Sequence, residues 1–83
     1  MEKFYVEVTD TSGGDANYAW VHRYIVSAQS ELGAIRKVSR KEGLSFRKEW
    51  DDGFCTRYDA KGAAICALIY YYDPYCGHYG VEL

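Results

Sequence analysis

Apolar and polar residues alternate through Lys3-Phe4-Tyr5-Val6-Glu7-Val8-Thr9, which places Phe4, Val6 and Val8 on one face of a half-buried strand. The following Asp10-Thr11-Ser12-Gly13-Gly14-Asp15-Ala16-Asn17 concentrates turn formers and predicts a loop. Alternation resumes from Trp20 to Ala28, with Tyr24, Val26 and Ala28 facing one way and Val21, Arg23 and Ile25 the other. The period then changes. Leu32, Ile35 and Val38, with Ala34, form an apolar stripe at helical spacing, behind Ser30 as N-cap and Glu31 in the first turn. Gly43 suits the left-handed position that ends a helix, and Leu44 the hydrophobic contact of a Schellman ending. Such a helix, about three turns long, is not stable alone and must dock on the strands.

Three more strands follow. Leu44 to Trp50 places Leu44, Phe46 and Trp50 opposite Ser45, Arg47 and Glu49, and Asp51-Asp52-Gly53 reads as a hairpin turn. Phe54 to Asp59 puts Phe54, Thr56 and Tyr58 opposite Cys55 and Arg57, and Ala60-Lys61-Gly62 turns the chain again. Ala63 to Tyr72 is apolar nearly throughout, as expected of a central strand covered on both faces, and Asp73-Pro74 ends it. The aromatic tail predicts a short further strand around Tyr79 to Leu83. The expected architecture is a single α+β domain spanning residues 1–83, a ββαβββ antiparallel sheet with one short helix on one face and this extra C-terminal strand.

Composition changes the picture in one respect. A chain of 83 residues has a thin core, since domains this small bury only somewhat over ~60% of their unfolded surface. Nine Tyr, three Phe and two Trp compensate with large buried areas per side chain. No apolar run approaches the ~20 residues of a membrane span. Met1-Glu2-Lys3-Phe4 leads directly into a strand pattern without signal-peptide anatomy, so a cytoplasmic setting is expected. Cys55, Cys66 and Cys76 are odd in number and lack CxxC spacing, which points to reduced thiols.

Catalytic and metal chemistry find little footing. Cys76 and His78 supply at most one half of a zinc motif, with His22 and Cys55 as distant candidates, whereas structural zinc takes paired short-spaced ligands. No cysteine precedes a helix, the position that would lower a thiol pKa. Adjacent Asp51 and Asp52 suit a turn, and Gly13-Gly14 belongs to no phosphate-binding pattern. The expectation is a non-enzymatic protein without cofactor or metal, a thiol- or metal-dependent enzyme being the remote alternative.

Two candidate binding surfaces remain. Arg36, Lys37, Arg40, Lys41, Arg47 and Lys48 gather six cations in one stretch relieved only by Glu42, against an acidic remainder that brings the net charge to −2. They form either a solvated helix face or a docking patch for phosphate or an acidic protein surface. Tyr70-Tyr71-Tyr72, Tyr75 and Tyr79 form either an aromatic core or an interface, with Tyr71 pointing opposite to Tyr70 and Tyr72. Tyr71 and Tyr75 are the candidate anchors. A nucleic-acid module using the cations and sheet tyrosines is the alternative, although the acidic balance opposes it. The chain is expected as a monomer or a homodimer paired through an edge strand.

The segment Tyr24-Ile25-Val26-Ser27-Ala28-Gln29-Ser30, followed by Ala34 and hairpin strands, resembles the strand-to-helix step of small phage-encoded type I anti-CRISPR proteins. Some of these are similar in length, in ββαβββ order and in a short C-terminal strand like Tyr79-Gly80-Val81-Glu82-Leu83. The resemblance implies an inhibitor acting in the host cytoplasm, which occludes a Cas complex or its nucleic-acid path without catalysis.

Overall fold

The computed structural model describes residues 1–83. Two long strands, β1 (Glu2–Ser12) and β2 (Asp15–Ala28), are followed by α1 (Glu31–Glu42) and three strands, β3 (Phe46–Asp51), β4 (Thr56–Ala60) and β5 (Ile65–Tyr71). A 3₁₀ turn at Pro74–Cys76 leads to the two-residue β6 (Val81–Glu82). The strands form one open sheet in the order β3-β4-β5-β1-β2-β6. The expected α+β order is present, including the sixth strand. One pairing departs from the expectation of an antiparallel sheet: β6 lies parallel to β2, with Tyr24 opposite Val81 and Ile25 opposite Glu82. The tail crosses the end of the sheet before pairing, so it arrives running with β2. No helix is long and apolar enough to cross a membrane.

The residues expected to form a loop after Thr9 instead extend the hairpin. Ser12 pairs with Asp15, and Gly13 and Gly14 make the turn between them at φ 60° and 88°. Positive φ at both central residues is the geometry whose twist matches antiparallel strands, and glycine adopts it without a Cβ clash. Polar composition misleads here because the hairpin projects beyond the core.

The register is broken once, between Thr9 and Thr11, where Asn17 to Trp20 bulge out of β2. Buried Thr9 holds this bulge, donating from Oγ1 to the Trp20 carbonyl (2.7 Å) and accepting from Tyr18 N (3.1 Å). Asp10 accepts from Ala19 N and Asn17 Nδ2. These hydrogen bonds hold its carboxyl below the usual range, that from Asn17 contributing most. They also fix Tyr18 at φ 55°, a conformation that costs a non-glycine residue about 1–3 kcal/mol.

The helix begins and ends as its sequence predicts. Ser30 Oγ accepts from Gly33 N at 3.1 Å, and the Gly43 and Leu44 amides both reach the Ser39 carbonyl. Ala34, Ile35 and Val38 pack against Phe4, Val6, Val8, Tyr24, Val26, Tyr58, Ala67 and Ile69 of the sheet. Leu32 does not join them. It is 51% exposed, contrary to the expected stripe, because Glu31 takes the sheet-facing place in the first turn. Glu31 accepts from Thr56 Oγ1 (2.7 Å) and Tyr58 OH (3.1 Å). At the other end Glu42 accepts from Tyr24 OH and lies 3.0 Å from His22 Nδ1. Two carboxylates thus tether the ends of α1 to hydroxyls of β4 and β2.

Central β5 is buried on both faces, as its apolar run predicts. The face opposite the helix has no second helix above it. Side chains lying flat on the sheet cover it: the His78 ring stacks on Tyr5 at 4.1 Å and 7°, and Tyr70 packs beside both. Glu7 accepts from Tyr5 OH, Tyr18 OH and Arg23, each at 2.7 Å, and Arg23 lies 5.2 Å from the Tyr79 ring centre.

This layer depends on the tail, and the tail on Gly80. A Cβ there would overlap the Arg23 carbonyl and lie 2.7 Å from Tyr24 N. Gly80→Ala is therefore expected to destabilise the domain by about 1–3 kcal/mol, as overpacking does. Amide exchange should rise at Leu83, whose N–H is bonded to the Ile25 carbonyl at 2.9 Å. An unchanged exchange rate there would contradict the docking of the tail.

Candidate binding surface

Where the fold places the six cations differs from their sequence proximity. Arg36, Arg40 and Lys41 are exposed on α1 and make no ion pair. Lys37 lies lower and donates its Nζ to the Ser27 carbonyl. Arg36, Lys37 and Arg40 line one shallow groove with Gln29 and Ser30, while Lys41 lies on another beside Glu42. Arg47 is separated from all of them. Phe46 packs into the helix-side core, so the pleat turns Arg47 to the opposite face, beside its partner Asp59. Lys48 pairs with Asp51 at 3.7 Å. The basic surface is therefore confined to the helix.

The tyrosine run is divided between two roles. Tyr70 and Tyr72 face the sheet surface capped by His78. Tyr71 points to the helix side, its ring 5.3 Å from Phe4, yet remains 66% exposed at the end of β5. Tyr75 stands on the 3₁₀ turn at 96% exposure. Asp73 caps that turn through Tyr75 N at 2.9 Å, which with the Cys76 thiol lowers its carboxyl pKa.

Phe54 completes this surface, and the alternating pattern did not reveal it. It does not face inward with Thr56 and Tyr58; it sits at the tip of the β3–β4 hairpin, 87% exposed. The Asp52 carboxylate folds the loop by accepting from Phe54 N and Cys55 N, both 2.9 Å, and these amides lower its pKa. Gly53 donates to Asp51 Oδ1 at 2.8 Å. The turn thus spans Asp52 to Cys55 and lifts Phe54 off the strand. The signal lay in Asp51-Asp52-Gly53, whose two carboxylates cap a turn longer than two residues.

Trp50 is another correction. A bulge between Lys48 and Trp50 aligns Trp50 with Arg57 and turns it to the face opposite Phe46. It remains exposed on an edge strand that Lys48 and the bulge protect from further pairing.

Phe54, Tyr70, Tyr71 and Tyr72 line a groove of about 550 Å³ that runs over Asp73, Cys76 and His78. A second cavity of about 230 Å³ shares Phe54, Tyr70 and Tyr71 and continues inward to Phe4, Glu31 and Asp51. The aromatic end of the sheet is thus a concave surface with projecting rings.

Other candidate chemistry is dispersed. His22 is engaged with Glu42, Cys55 is buried, and His78 Nδ1 accepts from Asp73 N at 3.0 Å. Cys76 Sγ lies 3.2 Å from Asp73 Oδ2, and that hydrogen bond pushes the thiol pKa up. Burial does the same to Cys55 and Cys66. All three shifts oppose thiolate formation. No three His, Cys, Asp or Glu side chains converge where a metal could be held.

Comparison with protein-family models, curated proteins and solved structures finds no match for this chain.

Proposed function

We propose that the chain is a small non-enzymatic binding protein of phage or mobile-element origin, which docks on a bacterial defence complex of the CRISPR–Cas type and inhibits it by occlusion. The observation that carries the binding reading is the exposure of Phe54 and Tyr71 on one groove, with exposed Tyr75 on the 3₁₀ turn whose flanking Asp73 and Cys76 also line it. Each of these three rings is 66% exposed or more, in a domain whose core is small. Aromatic side chains of this kind, projecting beside a concavity, are the usual anchors of protein interfaces. The unpaired cations of α1 supply steering towards an acidic partner rather than anchorage. The resemblance to type I anti-CRISPR proteins supplies the class of partner.

The nucleic-acid reading draws less support. It needs sheet tyrosines free to stack on bases, and the rings of Tyr70 and Tyr72 already pack beside His78.

Purified type I surveillance complexes provide the test. Retention of the chain and loss of target cleavage are expected. The pair Tyr71→Ala and Tyr75→Ala should weaken binding at least tenfold, about 1.4 kcal/mol. Arg36→Glu with Arg40→Glu should mainly slow association and flatten its salt dependence. Absence of binding to every type I complex, with cleavage unaffected, overturns the reading.

A further inference from the structure

The smaller cavity at the aromatic end has a chemistry distinct from the open groove. Phe4, Phe54, Tyr70 and Tyr71 line it, and its acidic residues are Glu31 and Asp51, with Thr56 and Cys55 beside them. No Lys, Arg or His side chain lines it. Asp51 is partly neutralised by Lys48 at 3.7 Å. Glu31 is not: its only partners are the neutral hydroxyls of Thr56 and Tyr58. An ionised carboxylate has about four lone-pair sites, so roughly half of its accepting capacity is unused. The cations of α1 line other grooves and do not fill this one.

We infer that this cavity receives an arginine side chain from the partner protein. Aromatic faces carry negative potential, and a cation held against them gains both ring and carboxylate attraction. Its volume of about 230 Å³ is below the roughly 300–1,000 Å³ of sites that enclose whole small ligands, and suits a single side chain. Between the two cationic side chains, the planar guanidinium of arginine is the better fit. It stacks flat on an aromatic ring while its N–H groups bond a carboxylate, which an ammonium cannot do together. Phe54 at the hairpin tip would close over the stem of the entering chain.

The source of the arginine rests on the binding-protein reading above; the preference of the cavity for a guanidinium does not. The test therefore uses a probe that needs no partner. Isotope-labelled protein is titrated with Nα-acetyl-arginine methylamide and, in parallel, with the citrulline analogue, which keeps the shape and removes the charge. Saturable shifts are expected at the amides of Gly53 to Thr56 and at the Tyr71 ring, with the citrulline compound at least tenfold weaker. Glu31→Gln should weaken arginine binding at least fivefold. Because Glu31 also tethers the helix, Phe54→Ala serves as the second variant: its side chain is outside the core, and it should weaken binding while leaving the rest of the spectrum in place. Equal response to arginine and citrulline, or shifts that survive both substitutions, overturns the inference. If surveillance complexes still bind in that event, the cavity assignment alone fails. If the cavity takes arginine but no complex binds, the proposed partner fails and the site stands.

Discussion

Replacing Phe4 by alanine is expected to destabilise the domain by about 3–5 kcal/mol, the cost of removing a fully buried ring. Phe4 is 2% exposed at the middle of the sheet, on the strand between β5 and β2. It packs in the cluster formed with Val26, Ile35 and Ile69, and its ring stacks on Tyr71. Val6, its neighbour on the same face of β1, is held by the pairing register and cannot move into the space. A domain of this size has a total stability of only ~4–12 kcal/mol at ~0.05–0.15 kcal/mol per residue. The variant should therefore lose much of its folded margin, with Tm lower by on the order of 12–40 °C. Phe54→Ala is the internal control. The same residue type is deleted, but at an exposed loop tip, and stability should change by no more than ~0.5 kcal/mol. Urea unfolding of the two variants checks both values, and similar losses would refute the assignment of one ring to the core and the other to the surface.

Alkaline unfolding should be unusually steep. Burial, reinforced by adjacent carboxylates, pushes Tyr5 and Tyr58 up to about 12, with Glu7 and Glu31 as the respective neighbours. Burial also raises Tyr18, beside Glu7, Tyr24, beside Glu42, and Tyr70, beside Cys55. The ordinary tyrosine value is 10.0. Below it, both folded and unfolded chains keep these protons, and stability is unaffected by these groups. Above it, the unfolded chain releases protons that the folded chain retains, so stability falls as pH rises through about 10 to 12. Because five tyrosines share this behaviour, their losses accumulate over the same interval. Tyrosinate absorbance from them is expected to appear together with loss of far-ultraviolet circular dichroism. Gradual ionisation through pH 12 with the fold intact would show that the hydroxyl tethers do not hold the structure.

The parts of the fold legible in the sequence are those decided locally. The period of Lys3 to Thr9, the Ser30 cap, the Gly43 ending and the apolar run of β5 each depend on residues a few positions apart, and the structure follows them. The departures are decided by partners distant in the chain. Asn17 to Trp20 bulge because Thr9 and Asp10 offer hydrogen bonds across the hairpin. Leu32 yields its inward place because Glu31 finds Thr56 and Tyr58. Trp50 changes face because one extra residue enters β3, and a one-residue shift inverts every later side chain.

The candidate site shows the same division. Tyr71 could be assigned to a face from strand parity, and Tyr75 from its place after Asp73-Pro74. The basic stretch could not be resolved, because Arg47 follows a turn and a pleat that remove it from the helix cations. Phe54 was hidden by an apparently continuous alternation, since the turn that lifts it depends on Asp52 reaching two amides ahead of itself. Glu31 looked like a residue placed for the helix dipole alone. Its part in the cavity emerges only when β4 and β5 are beside it.

Amide hydrogen exchange of the chain, alone and mixed with the type I surveillance complex proposed as its partner, tests the central claim most directly. Binding through the aromatic end predicts slowed exchange at Gly53 to Cys55 and Tyr71 to Cys76, the backbone that carries Phe54, Tyr71 and Tyr75. Protection confined to the β3 edge or to the outer edge of β2, with those two segments unchanged, would contradict it.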